Sequence, residues 1–203
     1  MISSLTGTLT RKTPTEVVIT VQGVGYSVLI PVSTFETLGA QGSQVLLHTH
    51  LHVREDALVL YGFATEQERT MFRILLSVNG IGPRMAQGIL SGIAVADLKD
   101  HILSGNTGAL TTIPGVGRKT AERLVVELRE KLGKSDFVFS PATAHADSVS
   151  ANRTEAAMAL VSLGYNRQAA EHALAAAFME LAGESTPSLE LLLKTALKHA
   201  SRQ

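Results

Sequence analysis

Asn79-Gly80-Ile81-Gly82-Pro83-Arg84-Met85-Ala86-Gln87-Gly88-Ile89-Leu90 and, 35 residues further on, Pro114-Gly115-Val116-Gly117-Arg118-Lys119-Thr120-Ala121-Glu122-Arg123-Leu124-Val125 are two copies of one pattern. Each places an apolar residue between two glycines. A cation follows (Arg84, Lys119), then an alanine (Ala86, Ala121), then apolar residues. Apolar segments of helical period lie before and behind each copy, so each reads as a helix, a tight turn and a second helix.

That layout is a helix-hairpin-helix, repeated in tandem. A Gly-X-Gly turn can take φ > 0 and has no Cβ to obstruct an approaching group. It opens a helix whose first amides have no internal partner, and these amides with the helix dipole form an anion site. Arg84 and Lys119 fall in the first turn beside it, and Pro83 suits an early helical position that needs no N–H. Amides and a cation read phosphate and not base identity. A single copy reads equally well as a plain helix-helix turn; the matched cation and alanine in both favour backbone binding. A dinucleotide fingerprint fits poorly, because Met85 and Thr120 take the third-glycine position and helices precede both turns. The chain has no G-x-x-x-x-G-K-[ST], so no ATP hydrolysis through a P-loop is expected.

Residues 1–62 read as β. Val17–Val21 and Tyr26–Ile30 are rich in β-branched and apolar residues, with Gln22-Gly23-Val24-Gly25 as the turn between them. From Val45 to Val53 the pattern alternates: Val45, Leu47, Thr49, Leu51 and Val53 on one face, Leu46, His48, His50 and His52 on the other. Arg54-Glu55-Asp56 then leads into Ala57–Tyr61, a hairpin. Five short strands with a helical turn near Thr34–Leu38 fit a small OB-type barrel. Residues 63–133 read as all-helical. Thr65 and Glu68 form a capping box; Met71, Phe72, Leu75 and Leu76 form a core stripe; helices are expected near 83–91, 95–104, 106–112 and 117–132, with Gly133 as a C-cap. Residues 134–150, with Phe137 and Phe139 among Ser and Ala, read as a flexible linker. Residues 151–203 read as three short helices, near 153–163, 167–181 and 187–199. Leu163-Gly164-Tyr165 closes the first, Asn166 caps the second, and Thr186-Pro187 opens the third. This unit resembles ubiquitin-associated-type bundles, which implies a protein-binding surface around Leu163, Gly164 and Tyr165. The whole is therefore a multidomain α+β chain.

The formal net charge is zero, which argues against a strongly basic nucleic-acid binder. Locally, residues 63–133 carry nine Lys/Arg against seven Asp/Glu, and residues 1–62 carry three against four. Amide-based phosphate binding needs few cations. There is no cysteine, which suits a reducing, cytoplasmic setting, and no apolar run of membrane-spanning length. Met1-Ile2-Ser3-Ser4-Leu5 lacks the features of a signal peptide. His48, His50 and His52 have a spacing that can hold a metal but read as a sheet face, so no metal and no cofactor is expected. Glu55 and Asp56 admit three readings: a solvated turn, a metal-binding acid pair of a nuclease, or an acidic tip that repels phosphate and excludes the wrong duplex geometry.

The ordered set of motifs resembles the RuvA family, junction-binding subunits of bacterial branch-migration complexes. The resemblance spans essentially the whole chain. It rests on Gly23-Val24-Gly25-Tyr26, on Val53-Arg54-Glu55-Asp56-Ala57 with Leu60-Tyr61-Gly62-Phe63, on the two glycine hairpins, and on Leu163-Gly164-Tyr165. It implies a homotetramer, one or two per junction, that binds a four-way (Holliday) junction in an open, square-planar form. By that resemblance Gly80, Gly82, Arg84, Gly115, Gly117, Arg118, Lys119 and Arg123 contact phosphates, and Glu55 and Asp56 form a central acidic pin. The resemblance further implies no catalytic residue in this chain. The ATPase resides in a hexameric AAA+ motor, RuvB, met by the third domain, and the junction resolvase RuvC is a further partner. The setting implied is recombination, DNA repair and the SOS response. Arg84 and Arg118 stand where lysine is frequent in the family; either cation serves phosphate.

Overall fold

The structure is a computed structural model that describes residues 1–134, 148–181 and 187–200. Residues 1–134 form one compact unit and those from 148 onward a second.

Five strands open the chain: β1 (Ser4–Lys12), β2 (Glu16–Val21), β3 (Val24–Leu29), β4 (Gln44–Val53) and β5 (Leu58–Phe63), with the short helix α1 (Val32–Thr37) between β3 and β4. They close in the order β1-β2-β3-β5-β4, with β4 returning to β1. All neighbours are antiparallel except β3 and β5. Residues 4–8 of β1 pair with β4, and residues 8–12 pair with β2, with a register shift between Leu9 and Arg11 inside that second pairing. That irregularity bends one strand around the corner so that it belongs to both sides of the barrel. This is the OB-type arrangement expected. β1 is the strand the sequence reading did not place; its inward set of Leu5, Gly7 and Leu9 is too sparse in apolar bulk to announce itself. The barrel core is Leu5, Leu9, Val17, Ile19, Val28, Ile30, Val45, Leu47 and Leu60. The alternation on β4 holds through Val45, Leu47 and Thr49 and then fades: Leu51 is only part-buried and Val53 is exposed. The strand outruns the barrel there and continues as a free-standing hairpin.

The helical region comprises α2 (Glu66–Leu76), α3 (Pro83–Gly92), α4 (Val95–Ser104), α5 (Thr107–Leu110) and α6 (Arg118–Lys134). The capping box forms in full: the Thr65 side chain accepts from the Glu68 amide, and the Glu68 carboxylate accepts from the Thr65 amide. Glu68 also accepts from the Ala64 amide and from the hydroxyls of Ser33 and Thr34, which ties α1 to the start of α2. Met71, Phe72 and Leu75 are fully buried, as expected. Leu76 is only part-buried, and Ile74 takes the fourth place facing the core. Phe72 packs against both Tyr61 and Phe63 of β5, with ring centroids 5.0 and 4.9 Å apart. The expected boundary between residues 62 and 63 therefore falls inside a shared aromatic cluster, and burial of such rings contributes about 2–3 kcal/mol each. On α3, Gln87 donates to the Ile30 carbonyl at 2.6 Å, and the Ser91 hydroxyl accepts from the Val32 amide. These bonds fix the helices to the barrel. Gly133 does not end α6, which continues to Lys134. Leu128 and Leu132 pack inward over the turns just before that glycine.

The second unit holds α7 (Ser148–Ser162), α8 (Arg167–Glu180) and α9 (Leu189–Ala200). Its core is small-residue rich: Ala156, Leu160, Ala170, Ala173, Leu174, Ala177, Leu192 and Ala196. Gly164 has φ 98°, and the amides of Gly164 and Tyr165 donate to the carbonyls of Val161 and Leu160, a Schellman end to α7. Asn166 caps α8 by accepting from the Ala169 amide. Proline does not open the last helix at its first position. The Ser188 hydroxyl accepts from the Leu191 amide and acts as the cap, leaving Pro187 just outside. α7 begins inside the stretch read as linker. The rest of that stretch, residues 135–147 with Phe137 and Phe139, and Thr186, lie outside the described residues.

Candidate nucleic-acid interface

The two glycine turns adopt one geometry. Gly80 and Gly115 have φ 83° and 85°, a conformation that L side chains rarely take, so each turn needs glycine at its first position. In each, the residue between the glycines donates back across the turn: Ile81 to the Val78 carbonyl at 3.1 Å, Val116 to that of Ile113 at 3.0 Å. Ile81 and Val116 are buried anchors, as are Ala86 and Ala121 one turn into the following helix. The apolar residues of the pattern therefore pin the turn to the core.

The second glycine has a different reason. Gly82 is the N-cap of α3 with φ −89° and ψ 172°, an ordinary extended conformation. A Cβ at Gly82 or at Gly117 would meet no atom of the chain within 4 Å. Nothing internal demands glycine at either position; what its absence of side chain leaves is open room before a helix N-terminus. Both glycines are exposed, and so are Arg84, Arg118 and Lys119. Arg84 and Lys119 make no hydrogen bond or ion pair with a described residue, whereas Arg118 pairs with Glu122 one turn along at 3.0 Å. An open helix N-terminus, and in its first turn a cation without a partner among the described residues, is an arrangement suited to an anion, and it occurs twice.

Arg123 is placed otherwise than a free phosphate contact. Its guanidinium donates to the Asn79 carbonyl at 2.7 Å, and its Nη1 lies 2.9 Å from where a Cβ on Gly80 would sit. It thus reaches from the second hairpin to the turn of the first. Glu127 accepts from the Asn79 amide at 3.3 Å, and the Lys131 ammonium donates to the Ser77 hydroxyl at 2.8 Å and to its carbonyl at 3.2 Å. Sequence reading missed Glu127 and Lys131. Their spacing with Arg123 (i, i+4, i+8, with charges alternating) was the available signal for one stripe on one helix face.

Glu55 and Asp56 occupy the tip of the β4–β5 hairpin, both exposed. Val53 pairs with Leu58 just below, and the Arg54 amide donates to the Ala57 carbonyl at 2.9 Å. Arg54 donates to His52 at 3.1 Å. Burial pushes the Tyr61 hydroxyl above its ordinary pKa, and the charges of Arg84 and Arg54 pull it back. One cation from the first hairpin and one from the acidic hairpin thus act on the same phenol. The three strand histidines do not converge on one point: His48 pairs with Glu66 at 3.0 Å, His50 lies edge-on to Phe72 and stacks on His52 at 6.5 Å, and His52 accepts from Arg54. Among the described residues no group of three or more His, Asp or Glu side chains is disposed to hold a metal ion. Nor is any helix among them long and apolar enough to cross a membrane.

In the second unit, Leu163 is exposed, with Met158 and Val161 of α7 also exposed nearby in sequence, while Tyr165 is part-buried against the bundle core.

A barrel with a protruding acidic hairpin, tandem helix-hairpin-helix motifs and a small helical bundle define a class of protein built to hold nucleic-acid backbone. Three family models match in that order: RuvA N terminal domain over residues 1–62, SAM-like Helix-hairpin-helix tandem over 72–130, and RuvA, C-terminal domain over 151–201. Curated relatives match from end to end. A protein of Thioalkalivibrio sulfidiphilus is 47% identical over 98% of this chain and 100% of its own length; one of a Marinomonas species is 45% identical over 100% of both. A third, from a Geobacter species, is 44% identical over 98% of both. Each is named Holliday junction branch migration complex subunit RuvA. The chain belongs to the RuvA family.

Proposed function

We propose that this chain binds four-way DNA junctions by structure, independently of sequence, as the non-catalytic subunit of a branch-migration complex in recombination and DNA repair. The observation that carries the reading is the pair of open, glycine-lined helix N-termini, each with a cation that has no hydrogen-bond or ion-pair partner among the described residues (Arg84, Lys119). In it, Gly80, Gly82, Gly115 and Gly117 present backbone amides to phosphate, and Arg84, Arg118, Lys119 and Arg123 add charge. Contacts of this kind carry no base information. Each such site is weak alone. A homotetramer brings eight to one junction and gains by multivalency, and its four-fold symmetry matches four arms, which a linear duplex lacks. Glu55 and Asp56, exposed at the hairpin tip, serve as the acidic pin near the crossover and repel phosphates that approach it. The ATPase resides in a separate hexameric motor, RuvB, and the exposed apolar residues beside Leu163-Gly164-Tyr165 suit docking to it. The names of the relatives, subunits of a branch-migration complex, support this division of labour.

The test is a gel-shift competition with labelled four-way junction, together with the mass in solution with and without junction. Preference for the junction over linear duplex of any sequence, with a tetramer mass, is expected. Equal competition by linear duplex refutes the reading.

A further inference from the structure

The two hairpins hold each other reciprocally. Positions 92 and 127 are 35 residues apart, the same offset as the repeated pattern. At 92 the end of α3 packs against the second turn: a Cβ on Gly92 would lie 3.3 Å from Ile113 and 3.5 Å from Pro114. At 127 the equivalent point of α6 meets the first turn, not by bare packing but through a carboxylate on the Asn79 amide. Arg123 stands where α3 has Gly88, and Lys131 adds a third bond from the next turn of the helix. Lys131 also places its ammonium at the C-terminus of α2, where the helix dipole favours a cation. Arg123, Glu127 and Lys131 thus hold Ser77 and Asn79, the residues that lead directly into Gly80.

The arrangement is costly if its only purpose is electrostatic. A carboxylate beside a phosphate site repels the ligand. Yet Glu127 takes the amide immediately before Gly80 and keeps it from the phosphate; with the Ile81 amide bonded to Val78, the Gly80 and Gly82 amides are left as the open ones.

We infer that Glu127 and Lys131 are positioning residues for the first hairpin: from the helix of the second hairpin they set the pose of the Ser77–Gly82 turn. The inference rests on the phosphate-site reading of the hairpins. A helix that only supported its own hairpin would instead couple to Lys119.

The experiment measures full-chain affinity for a labelled four-way junction in a double-mutant cycle. Glu127→Ala is expected to weaken binding by about five-fold, despite removing a repelling charge, because the turn loses its hold. Glu127→Gln, whose amide oxygen still accepts from Asn79, is expected to bind within about two-fold of wild type or tighter. The loss from Glu127→Ala should nearly vanish when Arg84→Ala has already disabled the first hairpin, and persist in full in a Lys119→Ala background. Lys131→Met repeats the cycle from the next helical turn, so that a poorly folded Glu127→Ala does not decide the matter. Glu127→Ala and Glu127→Gln both binding tighter would overturn the inference, as would coupling to Lys119 in place of Arg84. Arg84→Ala and Lys119→Ala both leaving affinity unchanged would instead remove the phosphate-site reading, and the inference with it.

Discussion

Gly80 and Gly82 stand two residues apart in one turn, and replacing each by alanine should have different consequences: both weaken binding, but only Gly80→Ala lowers stability. At Gly82 the backbone is extended, and a methyl group would touch nothing in the chain. Alanine is a poorer N-cap than glycine by roughly 0.5–1 kcal/mol, but it narrows the unfolded ensemble by about 0.4–1 kcal/mol. The net change in stability is therefore close to zero. Binding should suffer, because the methyl group stands in the open room before the α3 amides. Weakening one charge-assisted amide–phosphate bond costs about 1 kcal/mol per subunit. Over four subunits that is about 4 kcal/mol, close to a thousand-fold in affinity. At Gly80, φ 83° is strained for alanine by about 1–2 kcal/mol, and the new Cβ would lie 2.9 Å from the Arg123 guanidinium, breaking its bond to Asn79. Gly80→Ala should therefore melt at a lower temperature as well as bind weakly. Thermal denaturation alongside fluorescence anisotropy on a labelled junction separates the two. Wild-type affinity for Gly82→Ala at unchanged stability would refute the argument that its missing side chain is kept open for DNA.

Three other perturbations follow from the structure. Glu55→Gln with Asp56→Asn should raise affinity for the junction and relax its preference over linear duplex, since a repelling tip becomes neutral; unchanged or weaker binding in anisotropy would contradict the pin. Glu68→Ala removes the acceptor shared by the Ala64 and Thr65 amides and the Ser33 and Thr34 hydroxyls, and should cost about 2 kcal/mol in urea denaturation; a loss below ~0.5 kcal/mol would show that those groups find water equally well. His50 has its pKa held below 6.5 by burial first, then by the charges of Arg73, His52 and Arg69. The unfolded chain therefore takes up the proton first as pH falls, so stability is lost through the window just under pH 6.5. His50→Leu should lessen that loss, seen as a stability difference from wild type that changes between pH 7.5 and about pH 5; a difference constant with pH would exclude His50 as a source.

Much of the site was legible because it is local. Gly80 and Gly115 are demanded by the φ of a turn four or five residues long, and Thr65 with Glu68 by the first turn of one helix. The hairpin that carries Glu55 and Asp56 follows from alternation on β4. The rest was not legible, and for one reason: it depends on residues far apart in the chain. β1 has few apolar residues because it is shared between two neighbours and bends between them, so closure of the barrel secures it and its own pattern does not. Arg123 reads as a free cation in sequence, yet its bond is to a carbonyl 44 residues away.

By itself, then, the amino-acid sequence determined that this chain carries two glycine-opened helices with cations in their first turns, an acidic hairpin, and a separate helical bundle. Short-range sterics and capping leave such segments few alternatives. Only the tertiary structure decided which of those cations lack a partner among the described residues, that α6 holds the turn of the first hairpin through Arg123, Glu127 and Lys131, and that Phe72 joins the barrel to the helices through Tyr61 and Phe63. Those are matters of what lies beside a side chain once the chain has closed on itself, and packing at long sequence separation sets them, not any local preference.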